Sequence, residues 1–262
     1  MKQAKKAVQL LLGASLALSL FCQSAFAGGP SNLPTHAELT AALDAASDAA
    51  VNNGGIFSPA QMWAAIVDRD GNVIAVTKTT GADPWPGSRA IAMQKANTAN
   101  AFSNSGLALS SANIYNAVQP GGSLFGLQAS NPVDPDVAYR GPAHKFGSKN
   151  DPATHGKNSR IGGVNVFGGG LPLYDPNTGE VVGGLGVSGD SSCADHVIAW
   201  RIRHALGYTK VPGGVNTGNY GGAVAPAGGD DNIIFDLSEG FGHPFCGFNE
   251  GTVVDLPSMT NF

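Results

Sequence analysis

The sequence predicts an α+β layered domain, an antiparallel sheet with helices packed on its faces. Three observations carry this. Residues 62–68 and 73–79 are apolar, strand-like runs joined by the tight turn Arg69-Asp70-Gly71-Asn72. Strand-like segments come in runs rather than alternating with helices, which favours hairpin pairing over βαβ units. Three longer segments carry helical periodicity, so the order is helix, hairpin, helix, loop, three strands, helix.

Residues 35–51 read as the first helix. Thr35 is an N-cap, with Glu38 three residues on as its capping-box partner. Leu39, Leu43, Ala46 and Ala50 form its apolar stripe, and Asn52-Asn53-Gly54-Gly55 stops it. The hairpin turn follows, with Asp-Gly supplying the positive φ that a tight connection wants. Residues 88–103 read as the second helix, capped by Ser88. Ile91, Lys95, Thr98 and Phe102 share one stripe, and Ala92, Ala96 and Ala99 the adjacent one. That alanine-rich side admits a sheet or a flat ligand at close range. Residues 104–160 are rich in Gly, Asn, Pro and Asp, with 121–126 as a short strand inside them. Residues 163–167, 171–174 and 181–187 read as three further strands. Residues 191–206 are the last helix, capped by Asp190 or Ser191, with Asp195 in its first turn and Gly207 ending it. On it, His196, Trp200 and Arg203 share one face, read as surface or subunit contact. One more strand is expected over 232–237.

Residues 1–27 read as a signal peptide. Lys2, Lys5 and Lys6 precede an apolar run too short to span a bilayer, and Ala25-Phe26-Ala27 is a cleavage site before Gly28. The expected localisation is therefore secreted and periplasmic. Losing those three lysines moves the formal charge from −4 to −7, which disfavours nucleic acid or an anionic membrane as partner. No later stretch is long and apolar enough for an integral membrane span. Cys193 and Cys246 remain after the leader and read most simply as a disulfide in an oxidising compartment. The alternative is a pair of reduced thiols acting as ligands or redox groups. Closing that loop is worth about 4 kcal/mol in the chain-entropy model.

Several motifs mislead. Gly184, Gly186 and Gly189 spell G-x-G-x-x-G, but these glycines begin inside a strand pattern, and no acidic residue follows between Asp195 and Asp230. What survives is a strand face without side chains, open to another backbone or a flat ligand, and a helix N-terminus able to seat an anion. Gly186-Val187-Ser188-Gly189-Asp190 lacks the second glycine of a nucleophile elbow. The six histidines make no zinc-ligand spacing, and C-x-x-C-H is absent, which excludes covalent c-type haem.

Two blocks together resemble the GlcG/HbpS-like family, which includes the C-terminal domain of PduO. Residues 64–102, AAIVDRDGNVIAVTKTTGADPWPGSRAIAMQKANTANAF, match its strand, V-D-x-x-G-x turn, strand and helix with K-A-x-T-A. Residues 169–195, GGLPLYDPNTGEVVGGLGVSGDSSCAD, match its G-G-x-P, turn, V-x-G-x-x-G-V-S-G and early-helix Asp. The resemblance implies a profilin-like fold with a five-stranded antiparallel sheet over residues 28–207. To this the chain adds a long insertion at about 104–160 and a C-terminal extension, 208–262, packed on the domain. It further implies a homo-oligomer and non-covalent haem or a similar tetrapyrrole as ligand. The iron would lie at Thr98 of the K-A-x-T-A helix, beside Lys95 and Phe102, with the Gly-rich strand end at Gly189 or basic side chains receiving propionates. A neutral hydroxyl is a weak iron ligand, so the haem would be exchangeable. The longer insertion keeps His155 and His144 as alternative ligands. The function so implied is haem scavenging, storage or sensing. The alternatives are a haem-degrading or other small-molecule redox enzyme in the same pocket, and a non-catalytic oligomeric scaffold or corrinoid-binding module.

Overall fold

The structure, a computed structural model, describes residues 33–155, 158–215, 231–238, 240–253, 256, 257 and 259; the expected leader lies outside them. Helix α1 (His36–Ser47) starts at the predicted cap: Thr35 accepts from the Glu38 amide and Glu38 answers on the Thr35 amide. It ends at Asp48, earlier than predicted. Strands β1 (Trp63–Asp68) and β2 (Val73–Lys78) pair antiparallel across the predicted turn. The Asp68 carboxylate accepts from the amides of Asp70 and Asn72, and Gly71 takes φ +82°. Helix α2 (Ser88–Phe102) starts from Gly87 without a side-chain cap, so Ser88 is its first residue and not its cap.

Strands β3 (Gly170–Tyr174) and β4 (Val181–Ser188) complete a sheet of order β2-β1-β4-β3, every neighbour antiparallel. Among the described residues it has four strands, one fewer than the five expected. Residues 163–167 are extended but form no strand, because their backbone partners are side chains of α2. Asn97 donates to the Gly163 carbonyl, and the Asn165 amide donates to Thr98. Residues 121–126 make turns that lead into the one-turn helix α3 (Leu127–Ser130). Residues 232–237 pair with loops rather than with the sheet: Asn113 donates to the Asn232 carbonyl and the His243 amide to that of Ile234.

Helices α1 and α5 (Ser192–Ala205) cover one face of the sheet. There Leu39, Leu43, Ile198 and Trp200 pack with Ile66, Leu171, Leu185 and Val187. Helix α2 covers the other face. Beside it, the insertion brings Ala153, Ile161 and, from the one-turn helix α4 (Pro135–Ala138), Val137 and Ala138 onto Ala65, Val67 and Val76. Among the described residues no helix is long and apolar enough to cross a membrane.

Among the described residues, three buried ion pairs set how these parts meet. Arg89 at the start of α2 holds Asp151 of the insertion. Lys95 in α2 holds Asp195 in α5 at 2.6 Å. Arg203 in α5 holds Asp231 of the C-terminal segment, with Nη2 to Oδ1 at 2.9 Å. Each partner is nearly or fully shielded from solvent. Such pairs add little net stability over apolar replacements, but losing one member strands a buried charge, so they fix register strongly.

Candidate functional site

Gly184 and Gly186 of β4 face α2, and Leu185 and Val187 face the opposite layer, as strand alternation requires. A Cβ on Gly186 would stand 1.9 Å from the Ala92 carbonyl oxygen, and one on Gly184 would stand 2.2 Å from that of Ala96. A Cβ on Gly170 of β3 would stand 2.4 Å from the Lys95 carbonyl. The bare strand face is thus filled by the backbone of α2, which approaches through its alanine side. A flat ligand has no room there.

Lys95 lies at the end of this contact, 1% exposed, and also donates to the Val187 carbonyl at 3.2 Å. Burial raises its partner Asp195 to about 6, against the opposing pull of the Lys95 ammonium. The N-terminus of α5 is occupied by the protein itself. The Asp190 amide donates to Asp195, that of Cys193 to Cys246 Sγ at 3.1 Å, and that of Ala194 to the capping Ser191 hydroxyl. The space a Gly189 side chain would use holds the Gln61 carbonyl, 2.2 Å away. The anion seat expected at Gly189 is therefore filled.

Thr98 is fully buried. Its hydroxyl donates to the Gln94 carbonyl at 2.8 Å and accepts from the Asn165 amide at 2.9 Å. Segment 163–167 lies against it at Asn165, and the half-buried Phe102 packs with Ile114, Val164 and Val166 in a small apolar cluster. A hydroxyl with its proton donated and an amide in its acceptor position does not fit an iron ligand.

His155 stands elsewhere, exposed and beside Asp151, which the α2 N-terminal Arg89 holds. Residues 89 and 98 of α2 are about 13 Å apart along the helix axis at 1.5 Å per residue, so Thr98 and His155 are at different ends of it. His155 Nδ1 lies 2.9 Å from the Asp151 carbonyl oxygen. The same nitrogen lies 2.7 Å from the Thr154 hydroxyl; with the ring proton on Nδ1 and donated to the Asp151 carbonyl, Nε2 would carry the lone pair. That is the tautomer in which backbone contact prepares a histidine for a metal. Arg140, anchored on the carbonyls of Asp136, His155 and Asn158, sets a cation beside it. Tyr139 and His144 are exposed nearby in sequence. These residues fit one axial ligand and one propionate contact for a haem.

On α5, His196, Trp200 and Arg203 are all completely buried, which corrects their reading as an exposed face. The C-terminal segment covers them: Trp200 donates to the Pro257 carbonyl at 2.8 Å, and Arg203 binds Asp231. Burial first, and then the neighbouring Arg203 cation, lowers His196 to about 3. Neither of its ring nitrogens has a hydrogen-bond partner among the described residues.

The expected disulfide joins Cys193 to Cys246, with 6.1 Å between Cα atoms. Sequence reasoning gave no role to His243 beside it. The spacing His243-Pro244-Phe245-Cys246 was the available signal, because three residues bring two side chains to one turn.

Comparison with known proteins follows the same two blocks. The family model described as "Haem degrading protein HbpS-like" matches residues 35–202. The chain belongs to the HbpS-like family. No curated protein matches the sequence. Among solved structures, Klebsiella pneumoniae protein ORFY is 24% identical, with 66% of this chain and 90% of that chain covered and a TM-score of 0.44. A PduOC–haem complex is 24% identical over 66% of this chain and 94% of that chain, with a TM-score of 0.45. A double mutant of Streptomyces reticuli HbpS is 17% identical over 74% and 99%, with a TM-score of 0.40. The fold assignment rests on the sheet register, not on these likenesses. Within this HbpS-like chain the two signature blocks are halves of one interface. Block one supplies Ala92, Lys95 and Ala96; block two supplies Gly184, Gly186 and Asp195, which meet them. Residues beyond 202, including the segment that buries His196, lie outside the family match.

Proposed function

We propose that this HbpS-like chain is a secreted, periplasmic haem-binding protein that holds haem non-covalently and exchangeably, for scavenging, storage or sensing. The observation that carries the reading is the family match over residues 35–202. His155 is the proposed axial ligand, because its ring is exposed and held at Nδ1 by the Asp151 carbonyl and the Thr154 hydroxyl, which leaves Nε2 outward. Arg140 is the proposed partner of a propionate. A single exposed ligand favours ready exchange. Binding is favoured over breakdown because Asp195, His196 and His243, whose pKa values burial displaces, are each no more than 2% exposed. The Cys193–Cys246 bond supports an oxidising compartment. Homo-oligomerisation is part of the proposal and rests on the family resemblance alone.

Hemin titration of the chain from Gly28 onward tests this reading. A saturable Soret shift, followed by transfer of the haem to excess apomyoglobin, is expected. A shift that never saturates, or haem that cannot be removed, contradicts it. Loss of the Soret band with reductant and oxygen in the presence of catalase would assign breakdown instead.

A further inference from the structure

A second set of ligating groups lies at the start of α5, away from His155 and outside the haem reading. Cys193 Sγ, Cys246 Sγ and a ring nitrogen of His243 all lie within 4.8 Å of one another. His243 is 1% exposed, and its Nδ1 lies 2.7 Å from the Pro244 carbonyl oxygen. The ring proton is therefore on Nδ1, and Nε2 turns its lone pair toward the cluster, 3.2 Å from the Ser192 hydroxyl. The same hydroxyl is 3.4 Å from Cys246 Sγ. Tyr115 closes the far side, its ring centroid 5.1 Å from that of His243.

We propose that this cystine is a latent metal site. With its disulfide reduced, Cys193, Cys246 and His243 bind a thiophilic divalent cation of the zinc class. Tetrahedral zinc takes sulfur at about 2.3 Å and imidazole nitrogen at about 2.0–2.1 Å, so ligand atoms already gathered this closely need only side-chain adjustment. Ser192 Oγ stands as the oxygen nearest the fourth position.

The chemistry of opening is set by the surroundings. Cys246 is half-buried and reachable, and Cys193 is 1% exposed. One thiolate of a dithiol reductant attacks Cys246 Sγ, and the bond electrons leave with Cys193 as a thiolate. Cys193 sits in the first turn of α5, where the helix dipole stabilises that charge. The second thiol of the reductant then displaces Cys246. The dithiol is oxidised to a disulfide, and two electrons reach the protein. The metal takes both sulfurs as thiolates, their protons pass to solvent, and neutral His243 completes the set. The cation thus replaces the disulfide as the clasp between α5 and the C-terminal segment.

Cobalt(II) is the probe. The mature chain is reduced with dithiothreitol, freed of reductant without oxygen and titrated with cobalt. Thiolate-to-cobalt charge transfer and the visible bands of tetrahedral cobalt are expected, saturating at a single equivalent and displaced by zinc. The oxidised chain should give none. Ser192→Ala should retain the bands, and His243→Ala should lose them or require more metal. X-ray absorption at the zinc edge of the wild-type complex should find two sulfurs and an imidazole. A reduced chain that takes no cobalt, whether folded or not, overturns the proposal. So does a metal shell without imidazole, or a His243→Ala titration equal to wild type.

Discussion

Replacing Gly186 by alanine tests whether the glycine signature serves the contact between α2 and β4. The new Cβ would stand 1.9 Å from the Ala92 carbonyl oxygen and 2.5 Å from the Ala96 amide nitrogen. Both obstacles are helix backbone, so no side chain can rotate away. Relief to ordinary contact requires α2 to retreat by about 1 Å or more, which loosens a layer packed to crystalline density. Overpacking of this kind costs about 1–3 kcal/mol, and the rigid obstacle argues for the upper end. For a chain of this size, 3 kcal/mol lowers the melting temperature by about 6–12 °C. Gly87 is the control. It lies in helical backbone with open space around its Cβ position, so Gly87→Ala should stabilise by about 0.4–1 kcal/mol through the unfolded chain. Urea unfolding followed by far-ultraviolet circular dichroism measures both. Gly186→Ala within 0.5 kcal/mol of wild type would refute the packing argument.

Asp231→Ala should cost about 3–5 kcal/mol by stranding Arg203 in the core, and limited proteolysis should then cut the C-terminal segment first. Equal protease resistance would mean that Arg203 does not hold it. Serine at both Cys193 and Cys246 should cost about 4 kcal/mol in oxidising buffer, read from the urea midpoint. Acid should destabilise the fold. Burial holds His196 at about 3 and His243 at about 4, against 6.5 for the unfolded chain, so below pH 6.5 the unfolded chain takes up two protons that the native chain refuses. Asp195, raised by burial to about 6 from 3.8, opposes with one proton as pH falls from 6. The balance of one proton predicts a loss of about 1.4 kcal/mol per pH unit, or about 3 kcal/mol from pH 6 to 4. His196→Gln should flatten that slope; a wild-type stability independent of pH in this window contradicts the assignment.

Features set by neighbours in sequence were legible before the structure. The Thr35–Glu38 box, the Asp68–Asn72 turn and the Ser191 cap each depend on contacts within five residues, and each is present. The alanine side of α2 and the side-chain-free strand face were also readable. What sequence left open was that they face one another. The Lys95–Asp195 pair spans a hundred positions, so two signature residues with separate expected roles proved to be partners. Residues 163–167 look like a strand because their apolar alternation is real. Their hydrogen bonds go to Asn97 and Thr98, and no local pattern encodes that choice. The same remoteness hid the burial of His196, Trp200 and Arg203, because the residues covering them arrive from Asp231 and Pro257. Thr98 was correctly placed beside a small-residue face, but the contact with Asn165 that consumes its hydroxyl could not be read from the local pattern.

Under the proposed function, haem binds this chain through His155 and not through Thr98. Hemin titration of three proteins under one set of conditions tests it: wild type, His155→Ala and Thr98→Val. His155→Ala should lose the saturable Soret shift. Thr98→Val should bind hemin as wild type does, though less stable by about 1–3 kcal/mol because the Asn165 amide loses its buried acceptor. A His155→Ala protein that binds like wild type, or a Thr98→Val protein that alone loses the shift, would contradict it.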